Sequence, residues 1–125
     1  MKTGSCLCGA VTFEVDGELA PADACHCRSC RRQSSHFFVS TDVPRAALRV
    51  DGTEHLTWFG SSKQVLRGFC SRCGSSLFWD SIARDWMSVA MGAFDGPTGG
   101  AIAKHIFVAE KGDYYELTDG LPQEP

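Results

Sequence analysis

Seven cysteines, gathered in three short clusters, are the residues of this sequence best suited to chemistry. The clusters are Cys6-Leu7-Cys8, Cys25-His26-Cys27-Arg28-Ser29-Cys30 and Cys70-Ser71-Arg72-Cys73. An odd number of cysteines cannot pair off completely in disulfides within one chain. Closely spaced cysteines are typical of metal ligands or catalytic thiols in proteins of reducing compartments. Because zinc prefers four tetrahedral ligands, the counts of two, three and two must be shared between sites.

The first and third clusters together supply four thiolates, which is the number that a structural zinc site needs. A turn of two intervening residues brings the sulfurs of Cys70 and Cys73 to one ion, and Gly74 follows where backbone amides can point at the thiolates. Residues two apart in an extended segment face the same side, so Cys6 and Cys8 can chelate together. We predict a structural zinc at these four cysteines, and redox chemistry is the alternative.

The middle cluster has three thiolates and no fourth cysteine, an arrangement typical of catalytic zinc with one open position. Such an ion can hold a substrate thiol as thiolate, which is the nucleophilic form. We therefore predict a second, catalytic zinc at Cys25, Cys27 and Cys30. One alternative is a structural site completed by a histidine, for which the candidates are His36, His55 and His105. The other is a metal-free or redox cluster. His26 lies between two ligands and is expected to point away.

Three arginines accompany the middle cluster in the sequence: Arg28, Arg31 and Arg32. Their charges could offset the negative charge of a zinc ion held by three thiolates. Guanidinium groups also bind carboxylates through paired hydrogen bonds, as an acidic thiol substrate would require. We predict that the three arginines bind substrate, and a solvated charged face is the alternative.

Short β-strands are the elements that must position these cysteines. Val11, Phe13 and Val15 alternate with polar residues, which is typical of a half-buried strand. The same criteria predict further strands at residues 36–41, 47–50, 55–59, 64–69, 76–80, 86–91, 104–108 and 114–117. No sustained helical stripe is present, and one helical turn is predicted at residues 31–33. The predicted fold is all-β, with many short antiparallel strands stapled by zinc and a frayed tail at residues 121–125.

Length and charge restrict the classes of function. The 125 residues predict one zinc-binding domain over residues 1–125, with a core at about 4–121. Twelve Lys and Arg against 15 Asp and Glu provide no electrostatic reason to expect nucleic acid or an anionic membrane as partner. No apolar signal segment precedes Cys6, and no apolar run approaches the roughly 18 residues that span a bilayer. We therefore predict a cytoplasmic protein.

The cysteine clusters, in this order and context, resemble the glutathione-dependent formaldehyde-activating enzyme family, whose domain is shared with a vertebrate centromere protein. The matching segments are residues 5–11, 25–31, 69–77 and 104–108. The resemblance implies an Mss4-like fold of twisted β-sheets with two zinc ions per chain. By position, it implies a structural ion held by Cys6, Cys8, Cys70 and Cys73, and a catalytic ion held by Cys25, Cys27 and Cys30.

The family resemblance also implies carbon–sulfur lyase activity, in which the glutathione thiol adds to formaldehyde to form S-hydroxymethylglutathione. Glutathione is therefore the expected small-molecule partner. Two competing functions remain open at this point. One is an enzyme of the same fold that acts on a different thiol or thioether, and the other is a non-enzymatic zinc-binding interaction module.

Overall fold

A computed structural model of the protein describes residues 1–125 and contains ten β-strands and one α-helix. The elements are β1 (Lys2–Ser5), β2 (Thr12–Val15), β3 (Ala22–Cys25), α1 (Arg28–Ser34), β4 (Phe38–Pro44), β5 (Leu48–Asp51), β6 (Leu56–Gly60), β7 (Val65–Cys70), β8 (Ser76–Ser81), β9 (Trp86–Ala90) and β10 (Ile102–Ile106). Four single-turn 3₁₀ helices lie between or after the strands. No helix has the length and apolar character that crossing a bilayer requires.

The strands form two sheets. β1, β2 and β5 form a three-stranded antiparallel sheet, and the other strands form a seven-stranded sheet in the order β10-β3-β4-β9-β8-β7-β6. The predicted β fold is confirmed, but the prediction of purely antiparallel pairing is wrong for β10 and β3, which run parallel. Parallel neighbours need a long connection between them. Here that connection contains α1 and six strands, so local sequence patterns could not reveal the pairing.

The main hydrophobic core lies between the two sheets. Alternation along β2 buries Phe13 and Val15, and the Phe13 ring packs edge-on against Phe78 of β8 at 5.6 Å between ring centroids. Burial of such a side chain contributes about 2 kcal/mol. Cys6 and Cys70 belong to the same cluster of buried residues. The core therefore brings the first and third cysteine clusters together.

The opposite face of the seven-stranded sheet carries the second cysteine cluster. Side chains alternate along each strand, so Asp23 and Cys25 of β3 share this face with Ser40 of β4, which pairs with Asp23. In the same way, Trp79 of β8 and Ser88 of β9 are neighbours on this face. α1 begins three residues after the end of β3, and this short connection places Cys27 and Cys30 against the same face of the sheet.

Some predicted elements differ from the structure. The helical turn is confirmed and extends over α1, whereas residues 114–117 form no strand. Sequence patterns missed β1 and β3, whose sequences, KTGS and ADAC, contain few of the β-branched and aromatic residues that favour strands. These two strands depend on pairing with β2, β4 and β10.

The predicted fraying of the tail is wrong. The amide of His105 in β10 donates to the Pro122 carbonyl at 2.9 Å, and the Glu124 amide donates to the His105 carbonyl at 2.8 Å. The Lys104 ammonium also lies 2.7 Å from a Glu124 carboxylate oxygen. The tail is therefore held along the outer edge of β10, where the unpaired backbone groups of an edge strand are available.

Candidate metal centres and adjoining cavity

Four thiols form the first candidate metal centre: Cys6, Cys8, Cys70 and Cys73. Their sulfur atoms all lie within 4.8 Å of one another. The Sγ atom of Cys8 lies 3.7 Å from that of Cys6 and 3.8 Å from that of Cys70. A tetrahedral ion with Zn–S bonds of about 2.3 Å places its sulfurs about 3.8 Å apart. The donor set therefore fits zinc in both chemistry and spacing, with four ligands and no position left for substrate.

Two similar turns prepare these thiols for a metal. Gly9 and Gly74 follow the turns with φ of 80° each, a conformation that glycine adopts without strain. The amides of Val11 and Arg72 donate to the sulfurs of Cys6 and Cys70 at 3.3 and 3.4 Å. Hydrogen bonds from the side chain and backbone of Ser75 lower the pKa of Cys73 to about 5. The local structure thus favours the thiolate form of Cys73, which is the form that binds metal.

Three thiols form the second candidate centre: Cys25, Cys27 and Cys30. Cys25 ends β3, and Cys27 is the N-cap of α1, where its sulfur accepts a hydrogen bond from the Cys30 amide at 3.3 Å. Hydrogen bonds from Cys25 and Cys30 lower the pKa of Cys27 to about 2, whereas the hydrogen bond to Cys27 raises the pKa of Cys25. The sulfur of Cys27 therefore takes up the negative charge of the cluster most readily, and no histidine belongs to the group.

An arginine that the sequence analysis did not select lies against the second centre. Arg67 of β7 is only 5% exposed, and its Nη1 donates to Cys30 Sγ at 3.4 Å and to Gln33 at 3.3 Å. Its Nε donates to Ser61 at 3.1 Å. The guanidinium partly compensates the negative charge of the thiolates. Its only signal in the sequence is a charged residue inside a strand pattern, three residues before Cys70.

The three predicted substrate-binding arginines lie along α1. Arg28 and Arg32 are exposed, and Arg31 is half-buried with its Nε buried and without a hydrogen-bond partner. None of the three lines the cavity beside the second centre. Their role in binding substrate stays a prediction.

A cavity of about 380 Å³ opens beside the three thiols. This volume lies within the range of small-molecule sites. Trp79 and Trp86 form part of its wall and stack on each other at 5.9 Å between ring centroids. Its other lining residues include Asp23, Phe38, Asp42, Arg67 and Phe107. A wider recess of about 680 Å³ lies beside Cys6 and touches none of the three thiols.

The histidines form contacts away from the second centre. The His105 Nε2 and the Asp119 carboxylate are 2.8 Å apart, as are the His105 Nδ1 and the His26 Nε2. Because a carboxylate only accepts, Nε2 of His105 carries its proton, and the His105 Nδ1 accepts from His26. The His26 Nδ1 then accepts from the Tyr115 hydroxyl at 2.5 Å. His26 points away from the sulfurs, as predicted. The hydrogen bonds from Tyr115 through the two histidines to Asp119 attach the C-terminal segment to the strand and loop that contain the cysteines.

We expect acid to destabilise the protein partly through His26. Burial, followed by the proximity of His105, lowers the pKa of His26. In the unfolded chain, His26 takes up a proton near pH 6.5, whereas in the folded chain it does so only at lower pH. Neutral His26 therefore contributes to the free energy of unfolding above pH 6.5, and this contribution is lost as the pH falls below that value. The urea midpoint of unfolding should be lower at pH 5.5 than at pH 7.5 in the wild type, and this difference should be smaller in His26→Gln. His55→Gln is the control, and an unchanged pH dependence in His26→Gln would contradict the expectation.

Comparison with known proteins identifies the family. A protein-family model described as "Glutathione-dependent formaldehyde-activating enzyme" matches residues 1–110. The chain belongs to this family. A relative from Halomonas elongata, described as a "Putative glutathione-dependent formaldehyde-activating enzyme", is 28% identical over 127 residues, covering 91% of this chain and 79% of the relative.

Two further relatives of this member of the formaldehyde-activating family are informative. An "Uncharacterized lyase" of Schizosaccharomyces pombe is 30% identical over 76 residues, covering 61% of this chain and 55% of the relative. The crystal structure of a Rhodobacter sphaeroides protein superposes with a TM-score of 0.65 at 29% identity. It covers 76% of this chain and 89% of its own. The fold is thus shared with the Rhodobacter protein, and one of the relatives is described as a lyase.

Proposed function

We propose that this protein is a zinc-dependent carbon–sulfur lyase whose reaction takes place at Cys25, Cys27 and Cys30. One observation carries the proposal: the three thiols adjoin a cavity of about 380 Å³, whereas the other four thiols complete a coordination shell among themselves. Three protein ligands with an open position are typical of catalytic zinc, and four are typical of structural zinc. A non-enzymatic module would have no need for an open position that adjoins a cavity.

A zinc ion held by the three thiols would stabilise a substrate thiol as its thiolate at neutral pH and would act as a Lewis acid. The protein's own groups prepare this chemistry. The Cys30 amide orients the sulfur of Cys27, and Arg67 offsets the negative charge of the cluster. The indole rings of Trp79 and Trp86 line the cavity, and an apolar wall lowers the local dielectric and so strengthens electrostatic interactions beside it.

The family description makes glutathione and formaldehyde the first candidate substrates. In that reaction the sulfur forms a bond to the aldehyde carbon, the carbonyl π electrons move to oxygen, and that oxygen takes up the proton lost by the thiol. Arg28, Arg31 and Arg32 are the proposed partners of the glutathione carboxylates. Because all seven cysteines are free thiols, we also propose that the enzyme works in the cytoplasm.

A second candidate, a different thiol substrate, is favoured by the cavity itself. Glutathione carries two carboxylates, which convergent arginine or lysine side chains would bind. The cavity lining contains one such residue, Arg67, and its guanidinium is occupied by Cys30, Gln33 and Ser61. Four aromatic side chains also line the cavity, together with five serines, and the aromatic rings suit a thiol with an apolar part.

Thiol–formaldehyde exchange measured by NMR tests the proposed activity, because this method separates catalysis from the spontaneous reaction. We expect the zinc-loaded protein to accelerate exchange between formaldehyde and its thiol substrate at least tenfold, since well-placed catalysis contributes 10²-fold or more. Cys27→Ser should abolish the acceleration. If the zinc-loaded protein neither binds glutathione nor accelerates exchange, glutathione is excluded as substrate. If no thiol is accelerated, the lyase proposal fails.

A further inference from the structure

The cavity beside the three thiols has an acidic lining. Asp23 of β3 and Asp42 of β4 are its two carboxylates, and Arg67 is its single cationic side chain. The Arg67 guanidinium already donates to a sulfur, an amide and a hydroxyl. Lys104, on the strand beside Asp23, is paired with Glu124 at 2.7 Å. Lys104 also stabilises the charged form of Asp23 through space, but it does not line the cavity. A ligand in this cavity therefore meets two carboxylates and no lining cation that is free to pair with them.

The sheet register places these carboxylates at a defined reach from the sulfurs. Asp23 lies two residues before Cys25 on the same face of β3, which corresponds to about 6.6 Å along the strand. Asp42 lies four residues beyond Phe38, the partner of Cys25, which corresponds to about 13 Å. One oxygen of Asp42 accepts a hydrogen bond from Ser88 at 2.7 Å, which orients the carboxylate. A small molecule of about 7 to 13 Å could therefore reach from the thiols to these carboxylates.

Aromatic rings line the cavity near both ends: Phe38 pairs with Cys25, and Trp79 pairs with Ser88, the partner of Asp42. Trp79 and Trp86 stack on one side, and Phe38 and Phe107 contribute further ring surface. Aromatic faces attract both apolar groups and cations, since the ring quadrupole presents negative charge at the face. A wall of this kind, beside carboxylates, is complementary to an apolar body that carries an ammonium group.

We propose that the cavity selects a small amine-bearing thiol with an aromatic or apolar body, its ammonium group at Asp23 and Asp42 and its sulfur toward the three cysteines. The position of the sulfur rests on the proposed function, whereas the selection of the ammonium group rests on the cavity alone. Glutathione, which carries two carboxylates beside its ammonium group and has no aromatic or apolar body, is a poor match. Its negative charges would meet the acidic lining, and like charges in a partly desolvated site repel.

Three para-substituted thiols that share the thiophenol ring test the charge selection: 4-(aminomethyl)thiophenol, 4-methylthiophenol and 4-mercaptobenzoic acid. Binding to the zinc-loaded protein is measured by quenching of tryptophan fluorescence and by calorimetry, with glutathione as a comparison. We expect the amine to bind about five- to tenfold more tightly than the methyl compound, and the acid to bind most weakly. The proposal is overturned if the acid or glutathione binds as tightly as the amine.

Matched variants locate the selection. Asp23→Asn and Asp42→Asn, singly and together, keep the side-chain shape and should remove most of the preference for the amine. Asp51→Asn removes an equal charge from an exposed position of β5 outside the cavity and should leave the preference unchanged. An amine preference that survives the double replacement would overturn the assignment to these carboxylates.

A thiol-free probe separates this inference from the proposed function. 4-Methylbenzylamine carries the ammonium group and the ring but has no sulfur. If it binds as tightly as the amine-bearing thiol, and equally depends on Asp23 and Asp42, the selection of ammonium stands while thiol binding at the three cysteines fails. If 4-(aminomethyl)thiophenol binds more tightly than 4-methylbenzylamine, and both lose affinity when Asp23 and Asp42 are replaced, both the cavity selection and the thiol site are supported.

Discussion

Cys73→Ser is expected to unfold the protein at 25 °C, or to lower its melting temperature by tens of degrees. Cys73 is one of four thiols whose spacing suits a tetrahedral ion. It is only half-buried and packs at the edge of the hydrophobic core, so its replacement by serine changes the core little. A structural zinc site contributes on the order of 10 kcal/mol to folding. The net stability of a domain is about 5–15 kcal/mol, so loss of the site removes most of it. Circular dichroism and thermal denaturation measure the effect.

The position of the four thiols explains this expected loss. Cys6 and Cys70 lie in the main core, and the segments that hold them are separated by more than sixty residues of chain. The shared ion therefore supplies stabilising free energy that hydrophobic burial between two sheets of short strands does not provide. A strong chelator added to the wild-type protein should unfold it in the same way.

The neighbouring Arg72→Ser is the matched control for Cys73→Ser. It changes a side chain in the same turn, and the backbone amide of residue 72 can still donate to the Cys70 sulfur. Its melting temperature should stay close to that of wild type, since an exposed surface substitution changes stability by about 0.5 kcal/mol or less. A folded Cys73→Ser protein with an unchanged melting temperature would contradict a structural zinc at the four thiols.

Cys27→Ser is expected to remove one of two zinc ions, and all catalysis, while the fold is retained. Cys27 caps α1, since its sulfur accepts the Cys30 amide, and serine is among the preferred N-cap residues. The variant therefore loses a thiolate ligand without losing the cap. Metal analysis of the purified proteins should fall from about two ions to about one per chain, with unchanged circular dichroism.

Comparison with Cys27→Ala separates the two roles of Cys27. The alanine variant loses both the ligand and the cap, which should lower the free energy of unfolding by about 1 kcal/mol relative to the serine variant. Metal content should be equal in the two variants. Loss of both ions and of folding in Cys27→Ser would mean that the middle cluster is structural, and the lyase proposal would then lose its site.

Much of the fold could be predicted from local patterns. The strands β2 and β4 to β10 fall within or beside the predicted ranges because each contains apolar residues with strand periodicity. β1 and β3 lack that signal, and their pairing with distant strands stabilises them. The tail at residues 121–125 is polar and proline-rich, and only the exposed edge of β10 explains why it is ordered.

The grouping of the cysteines follows from the sequence, because clusters of two, three and two thiols and a preference for four ligands leave one set of four and one set of three. Spacing within each cluster is a local property, and the structure brings the same groups together. The surroundings of the set of three depend on the packing of the whole chain. Arg67, Asp23, Asp42 and the two tryptophans come from five strands, and the register of one sheet aligns them. Long-range pairing has no local signature in a single sequence, and it decides which side chains a substrate meets.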